Sequence, residues 1–235
     1  MQSKSVITAA WLGLAVLAGG AGSSYAAPLS AAQLAQQQNE AEAAAKLGLA
    51  GFARQGAQDF GARLPGEFPL DVSDARALAA LRIGDGFPVY SVTPQQVLAE
   101  DANLSRQMSP TGVWRFTVYQ QARPVGLVTV EKTGERWQAV SFGAAGLARD
   151  LASLRAAYGD SGRASLRFLR VFQAQSDFLE VTPAGGGQPR FAALSSAYAS
   201  LALKRQAEGE RALLDGQTLL EPLRAAVRSN LSNWR

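Results

Sequence analysis

The chain has 235 residues, 47% of them hydrophobic and 18% charged, with a formal net charge of +4. That balance belongs to a globular chain and excludes both an acidic disordered segment and a uniformly apolar membrane protein. Histidine and cysteine are both absent, which removes disulfides, thiol nucleophiles, Cys/His zinc sites and the commonest general base.

Taken in chain order, residues 1–26 predict a signal peptide. Lys4 supplies the positive start, Val6 to Leu17 is an apolar run too short for a bilayer, and Ser24 and Ala26 are the small residues expected before a cut after Ala26. Export to the periplasm or the outside follows, with no stable membrane insertion once the segment is removed. Loss of Lys4 lowers the formal charge from +4 to +3. The remaining arginines are scattered, without a basic block or an aromatic platform, so nucleic acid is not the expected partner.

Residues 27–66 predict a helical N-terminal segment or tether. Ser30 can cap a helix over Ala31 to Leu47, and Gly48, Gly51, Gly56 and Gly61 then interrupt helical propensity before the loop Leu64 to Pro69. Residues 67–235 predict an α+β domain with a helical C-terminal tail, about 204–235. A short helix starts at Ser73 and ends before Gly84-Asp85-Gly86, and a strand runs from Phe87 to Val92. Thr93-Pro94-Gln95-Gln96 has the cap, N1 proline and N3 glutamine of another short helix. Asp101 to Gly112 reads as loop.

From Val113 the apolar period becomes two, and three strands follow as a meander: Val113–Gln120, Pro124–Lys132 and Glu135–Phe142. A loop of Gln121, Ala122 and Arg123 sets Phe116 against Val128 and Trp114 against Val130. A two-residue loop of Thr133 and Gly134 sets Lys132 against Glu135, Glu131 against Arg136 and Val130 against Trp137, pairing opposite charges and apolar residues. One face then carries Trp114, Phe116, Val118, Val128, Val130, Trp137 and Ala139. The expected cover for it is the amphipathic helix with Leu147, Leu151, Leu154 and Tyr158, stopped by Gly159. The opposite face is polar at one end and apolar at the other, where Tyr119, Val125, Leu127, Val140 and Phe142 lie.

Two further strands, Leu166–Gln173 and Phe178–Thr182, precede a flexible Ala-Gly-Gly-Gly-Gln-Pro loop. A helical stretch begins around Tyr198 and Leu201. A last helix, starting near Thr218 or Pro222, carries the stripe Leu220, Leu223, Val227, Leu231 and Trp234, expected to be buried against its own domain or, as the alternative, against a partner. The fold class is therefore α+β: an antiparallel sheet, a three-stranded meander plus further strands, packed against helices, with helical N- and C-terminal segments.

No nucleotide, metal or nucleophile motif is present, and no cofactor is expected. The close carboxylate pairs are Asp71/Asp74, Glu100/Asp101, Asp177/Glu180 and Glu208/Glu210. Asp71 and Asp74 read as helix-start charges, Asp177 as a turn residue, and Glu208 and Glu210 as a solvated helix face. The candidate ligand site is the outer face of the meander. Arg115, Glu131 and Arg136 could form a cluster with surplus positive charge there, and Tyr119 and Phe142 a neighbouring apolar area. Two guanidinium forks could hold a carboxylate of an envelope protein or peptide, or an anionic polymer. The expected function is thus that of an exported, non-catalytic binding or interaction protein. The alternatives are an envelope hydrolase using carboxylates or a serine gathered by the fold, and a membrane-associated assembly factor.

Overall fold

A computed structural model describes residues 30–159, 164–204 and 212–232. The expected signal segment lies outside those residues, as do Glu208, Glu210 and Trp234. Ser30 opens the first helix, α1 (Ala31–Phe60), through a reciprocal capping box. Its Oγ accepts from the Gln33 N–H at 3.2 Å, while Gln33 Oε1 accepts from the Ser30 N–H at 2.9 Å. The helix does not stop at Leu47. It continues through Gly48, Gly51 and Gly56 to Gly61, because the helix docks on a sheet and two of these glycines lie where it touches its neighbours. A Cβ added to Gly48 would lie 2.3 Å from the Cβ of Ala139, and one on Gly56 would lie 3.0 Å from Leu78. Packing at those points outweighs the propensity penalty of about 1 kcal/mol per glycine.

Asp74, rather than Ser73, caps α2 (Ala75–Leu78), accepting from the Arg76 N–H at 2.7 Å. The chain then enters β1 (Leu81–Ser91) six residues earlier than the composition suggested, running straight through Gly84-Asp85-Gly86 with a register shift there. The Tyr119 ring crosses Gly84 and the Phe116 ring crosses Gly86, each within 2.4 Å of where a Cβ would sit. Those glycines are strand positions overlain by aromatic rings. Thr93 caps α3 (Pro94–Leu98) by the expected capping box, and the following segment holds α4 (Leu104–Gln107) before β2 (Ser109–Gln120).

The meander continues with β3 (Arg123–Thr133) and β4 (Arg136–Gly143). Trp114 pairs with Val130 and Phe116 with Val128, as the spacing predicts. The turn itself holds Gln121 and Ala122, and a bulge at Val125 supplies the third residue. The second hairpin departs from expectation by one residue. Its loop is Gly134-Glu135, so Lys132 pairs with Trp137, Glu131 with Gln138 and Val130 with Ala139. Gly134 has φ +61°, and no other residue of this loop has positive φ. A turn with positive φ at its first central position wants glycine there, and β-branched Thr133 fits it poorly. The cross-strand charge pairing that favours the other register is worth only tenths of a kcal/mol. A bulge at Val140 then sets Phe142 opposite Val128.

α5 (Ala145–Tyr158) leads to β5 (Ala164–Val171), a 3-10 turn (Phe172–Ala174) and β6 (Ser176–Pro183). After the glycine loop come β7 (Arg190–Ala193), α6 (Ser195–Ser200), β8 (Leu213–Asp215) and α7 (Gly216–Ser232). The strands β7 and β8, too short to show a period, escape the sequence pattern. The eight strands of the described residues form one sheet in the order β4-β3-β2-β1-β5-β6-β7-β8. Among the described strands only β1 and β5 pair in parallel, at its centre. The fold is α+β, with helices at both ends of the described chain.

One face of β2–β4 carries Trp114, Phe116, Val118, Val128 and Val130, all buried, with Trp137, Ala139 and Phe142 half-buried beside them. Its cover is α1, through Ala41, Ala45 and Leu49, and not the helix at Leu147. Phe52 stacks on Phe142 with centroids 4.2 Å apart, and the Trp137 indole N–H donates to Glu40 at 3.1 Å. The same face continues across β5–β7, where Leu169, Phe178 and Phe191 are covered by α3, α4 and α7. Leu219, Leu220, Leu223 and Val227 of α7 are buried there, while Leu231 stays 43% exposed. The C-terminal stripe therefore docks on its own domain. α5 lies on the opposite face, its Ala148, Leu151 and Leu154 packing on Phe87, Leu127, Phe168 and Leu179.

Candidate functional site

The five residues singled out from the outer face do not converge. Arg115 stands on the α5 face, its guanidinium carbon 4.8 Å from the Phe168 ring centroid and its Nη1 buried without a hydrogen-bond partner. Burial pushes its pKa down from the usual arginine range; nearby Asp177 opposes that shift and Arg170 adds to it. Arg136 is exposed at the start of β4, opposite Thr133, whereas Arg115 is opposite Thr129. Four residues of strand separate those partners, about 13 Å, so the two arginines cannot grip one carboxylate side by side. Glu131 is half-buried between Val113 and Gln138. Tyr119 lies over Gly84, and Phe142 is on the α1 face against Phe52, because the Val140 bulge reverses the alternation after Ala139.

The acidic pairs are likewise taken up one by one. Asp71 sits between Arg123 at 2.8 Å and Arg149 at 3.2 Å, and Asp74 is the cap of α2. Asp177 is buried inside β6 rather than in a turn; it is held by Arg170 at 2.8 and 2.9 Å and by the Ser196 hydroxyl at 2.9 Å. Glu180 is fully buried against Arg167, which also donates to the carbonyl and hydroxyl oxygens of Ser105. Three residues apart on one strand, Asp177 and Glu180 face opposite sides of the sheet and cannot serve one substrate. Glu100 and Asp101 lie in the exposed turn after α3. The Ser195 hydroxyl donates to Asp150 at 2.6 Å, and the Ser195 N–H donates to the same oxygen at 3.0 Å. The second bond takes up the first N–H of α6, whose N-cap, Leu194, has no polar side chain to do so. Among the described residues no group of three or more carboxylates could hold a metal ion.

A groove on the α1 face gathers more. It has a volume of about 840 Å³ and runs between α1, from Lys46 to Ala57, and the wall formed by α2 and the start of β1. Leu49, Leu78 and Ile83 contribute to its apolar lining, and exposed Ala50 and Ala57 form part of its helical wall. Leu47 also lines it, at 73% exposure the most open of the large apolar side chains among the described residues. The charged residues around it are Lys46, Arg54 and Arg82, and no acidic residue lines it. Lys46 pairs with Glu42 at 2.6 Å, and one Arg82 Nη atom donates to the Gln121 carbonyl at 2.9 Å. Arg54 makes no hydrogen bond or ion pair to the described residues. Sequence reasoning passes over this site because the glycines after Leu47 read as the end of the helix. The signal that could find it is the row Ala41, Ala45, Gly48, Phe52 and Gly56, small or apolar throughout, which keeps helical spacing through the supposed break.

No family model, curated protein or solved structure matches the chain.

Proposed function

We propose that this chain is an exported, non-catalytic binding protein of the cell envelope. The groove between α1 and β1 receives the apolar part of a ligand or partner whose negative charge meets Lys46, Arg54 and Arg82. The observation that carries this reading is the combination of an apolar lining, an exposed Leu47 and a rim bearing cations without a single acid. A volume of about 840 Å³ is of the size that ligand sites occupy, about 300–1,000 Å³. A domain gains nothing in its own stability by leaving a large leucine side chain in water, and Arg54 and Arg82, which have no acidic partner among the described residues, favour an anionic partner.

Titration with the anionic, apolar fluorophore anilinonaphthalene sulfonate tests it. The wild-type full chain gives saturable enhancement at one site. Ala50→Trp fills the groove from an exposed position on α1 and leaves the urea midpoint unchanged, while weakening binding about tenfold or more. Non-saturable binding, or binding untouched by Ala50→Trp, overturns the assignment.

A further inference from the structure

The placement of the cations says more about the occupant than the apolar lining does. Lys46 and Arg54 lie on the same helix eight residues apart, which separates their backbones by about 12 Å along the axis. Arg82 stands on the other wall, on β1. Positive charge therefore flanks the groove on both sides and at more than one level. A ligand with one acidic head group does not span the distance between Lys46 and Arg54. A chain segment with an apolar stripe and carboxylates along both flanks can meet all three cations.

From this, resting on the reading above, we infer that the occupant is an amphipathic helix of another polypeptide, its apolar stripe flanked by Asp or Glu. The wall from Lys46 to Ala57 spans about 16 Å, or three helical turns, the length over which stripe residues at i, i+3 or i+4, and i+7 present themselves to a groove. The floor suits such a stripe: Leu49 and Leu78 are buried, and Leu81 and Ile83 half-buried. Arg54 has no ion-pair partner among the described residues, and Arg82 uses one nitrogen on the Gln121 carbonyl and has others to donate. Lys46 is shared with Glu42, so the arginines on opposite walls carry the discrimination.

The test uses the full chain and a fluorescein-labelled peptide of about 14 residues, with leucines at stripe spacing and glutamates on both flanks. A second peptide replaces every glutamate by lysine. The glutamate peptide binds about tenfold or more tighter, and its affinity falls with salt. Arg54→Glu/Arg82→Glu abolishes or reverses the preference without moving the urea midpoint. Dodecanoate, with a single carboxylate, competes weakly. Equal binding of the two peptides, or a preference that survives the double charge reversal, overturns the inference. So does tight dodecanoate binding with no peptide binding, which points to a lipid-like ligand. Where fluorophore binding at Ala50 persists and the peptide fails, only the helical occupant is lost; where both fail, the groove itself is not a site.

Discussion

Seating α1 on the sheet predicts opposite signs for one chemical change made at two neighbouring points of the same helix. Glycine to alanine inside a helix gains up to about 1 kcal/mol from propensity. At Gly51 an added Cβ meets nothing within 4 Å, so Gly51→Ala should show that gain. At Gly48 the new carbon would lie 2.3 Å from Ala139 Cβ, against an ordinary carbon–carbon contact of about 3.5–4.0 Å. Ala139 has no flexible side chain to swing aside, so helix and strand must part by roughly 1 Å, at an overpacking cost of about 1–3 kcal/mol. Propensity is common to both sites, so the gap between the two variants isolates the clash: Gly48→Ala should fall below Gly51→Ala by about 1–3 kcal/mol in urea unfolding. Ala139→Gly removes the opposing carbon and should restore much of the loss, giving a coupling of about 1 kcal/mol or more in the double-mutant cycle. Equal stabilisation by both alanines, with no coupling to Ala139, refutes the docking of α1 on β4.

Trp114→Ala should destabilise by about 3–5 kcal/mol by denaturant midpoint, since Trp114 is 2% exposed in the α1-face core. Arg167→Ala leaves Glu180 buried without its partner and should destabilise by about 3–5 kcal/mol, whereas Arg167→Met/Glu180→Leu should lose far less; equal losses would mean the pair is hydrated. The Gln36 amide and the Trp137 indole N–H hold the Glu40 carboxyl below its ordinary pKa. Its contribution to stability is present above the unfolded-state value, about 4.3, and is lost as pH falls through the lower folded value. Trp137 emission followed through acid titration should show that step, and Glu40→Gln should remove it. For the proposed export, mass spectrometry of the protein from its native host should find Ala27 as the first residue, and retention of Met1 contradicts cleavage after Ala26.

Features governed by a single local interaction are legible in the sequence. The Ser30 cap, the Thr93 capping box, the Trp114–Val130 and Phe116–Val128 pairs and the burial of Leu220, Leu223 and Val227 on α7 follow from spacing, whereas Leu219, buried outside the predicted stripe, and Leu231, 43% exposed within it, do not. What spacing misses turns on tertiary contact. The glycines of α1 read as breaks because only the facing Ala139 and Leu78 explain them, and Gly84 and Gly86 because only the crossing rings of Tyr119 and Phe116 do. The second hairpin slips by one residue because its weak charge pairs favour one register and the φ requirement of Gly134 imposes another. The charged rows around Arg115 follow sheet alternation, but the bulge at Val140, invisible in the pattern, moves Phe142 to the other face. The groove joins residues about 28 to 35 apart in sequence, with Leu47 and Arg54 on one wall and Arg82 on the other, and no local pattern brings them together.

Amide correlation spectra of the full chain, titrated with anilinonaphthalene sulfonate, locate the ligand and so decide whether the groove is its site. Shift changes should concentrate in residues 46–57 of α1 and 78–83 across from it, and Ala50→Trp should suppress them. Changes centred instead on the α5 face around Arg115 and Arg170, or spread evenly over the sheet, would contradict the assignment of the groove.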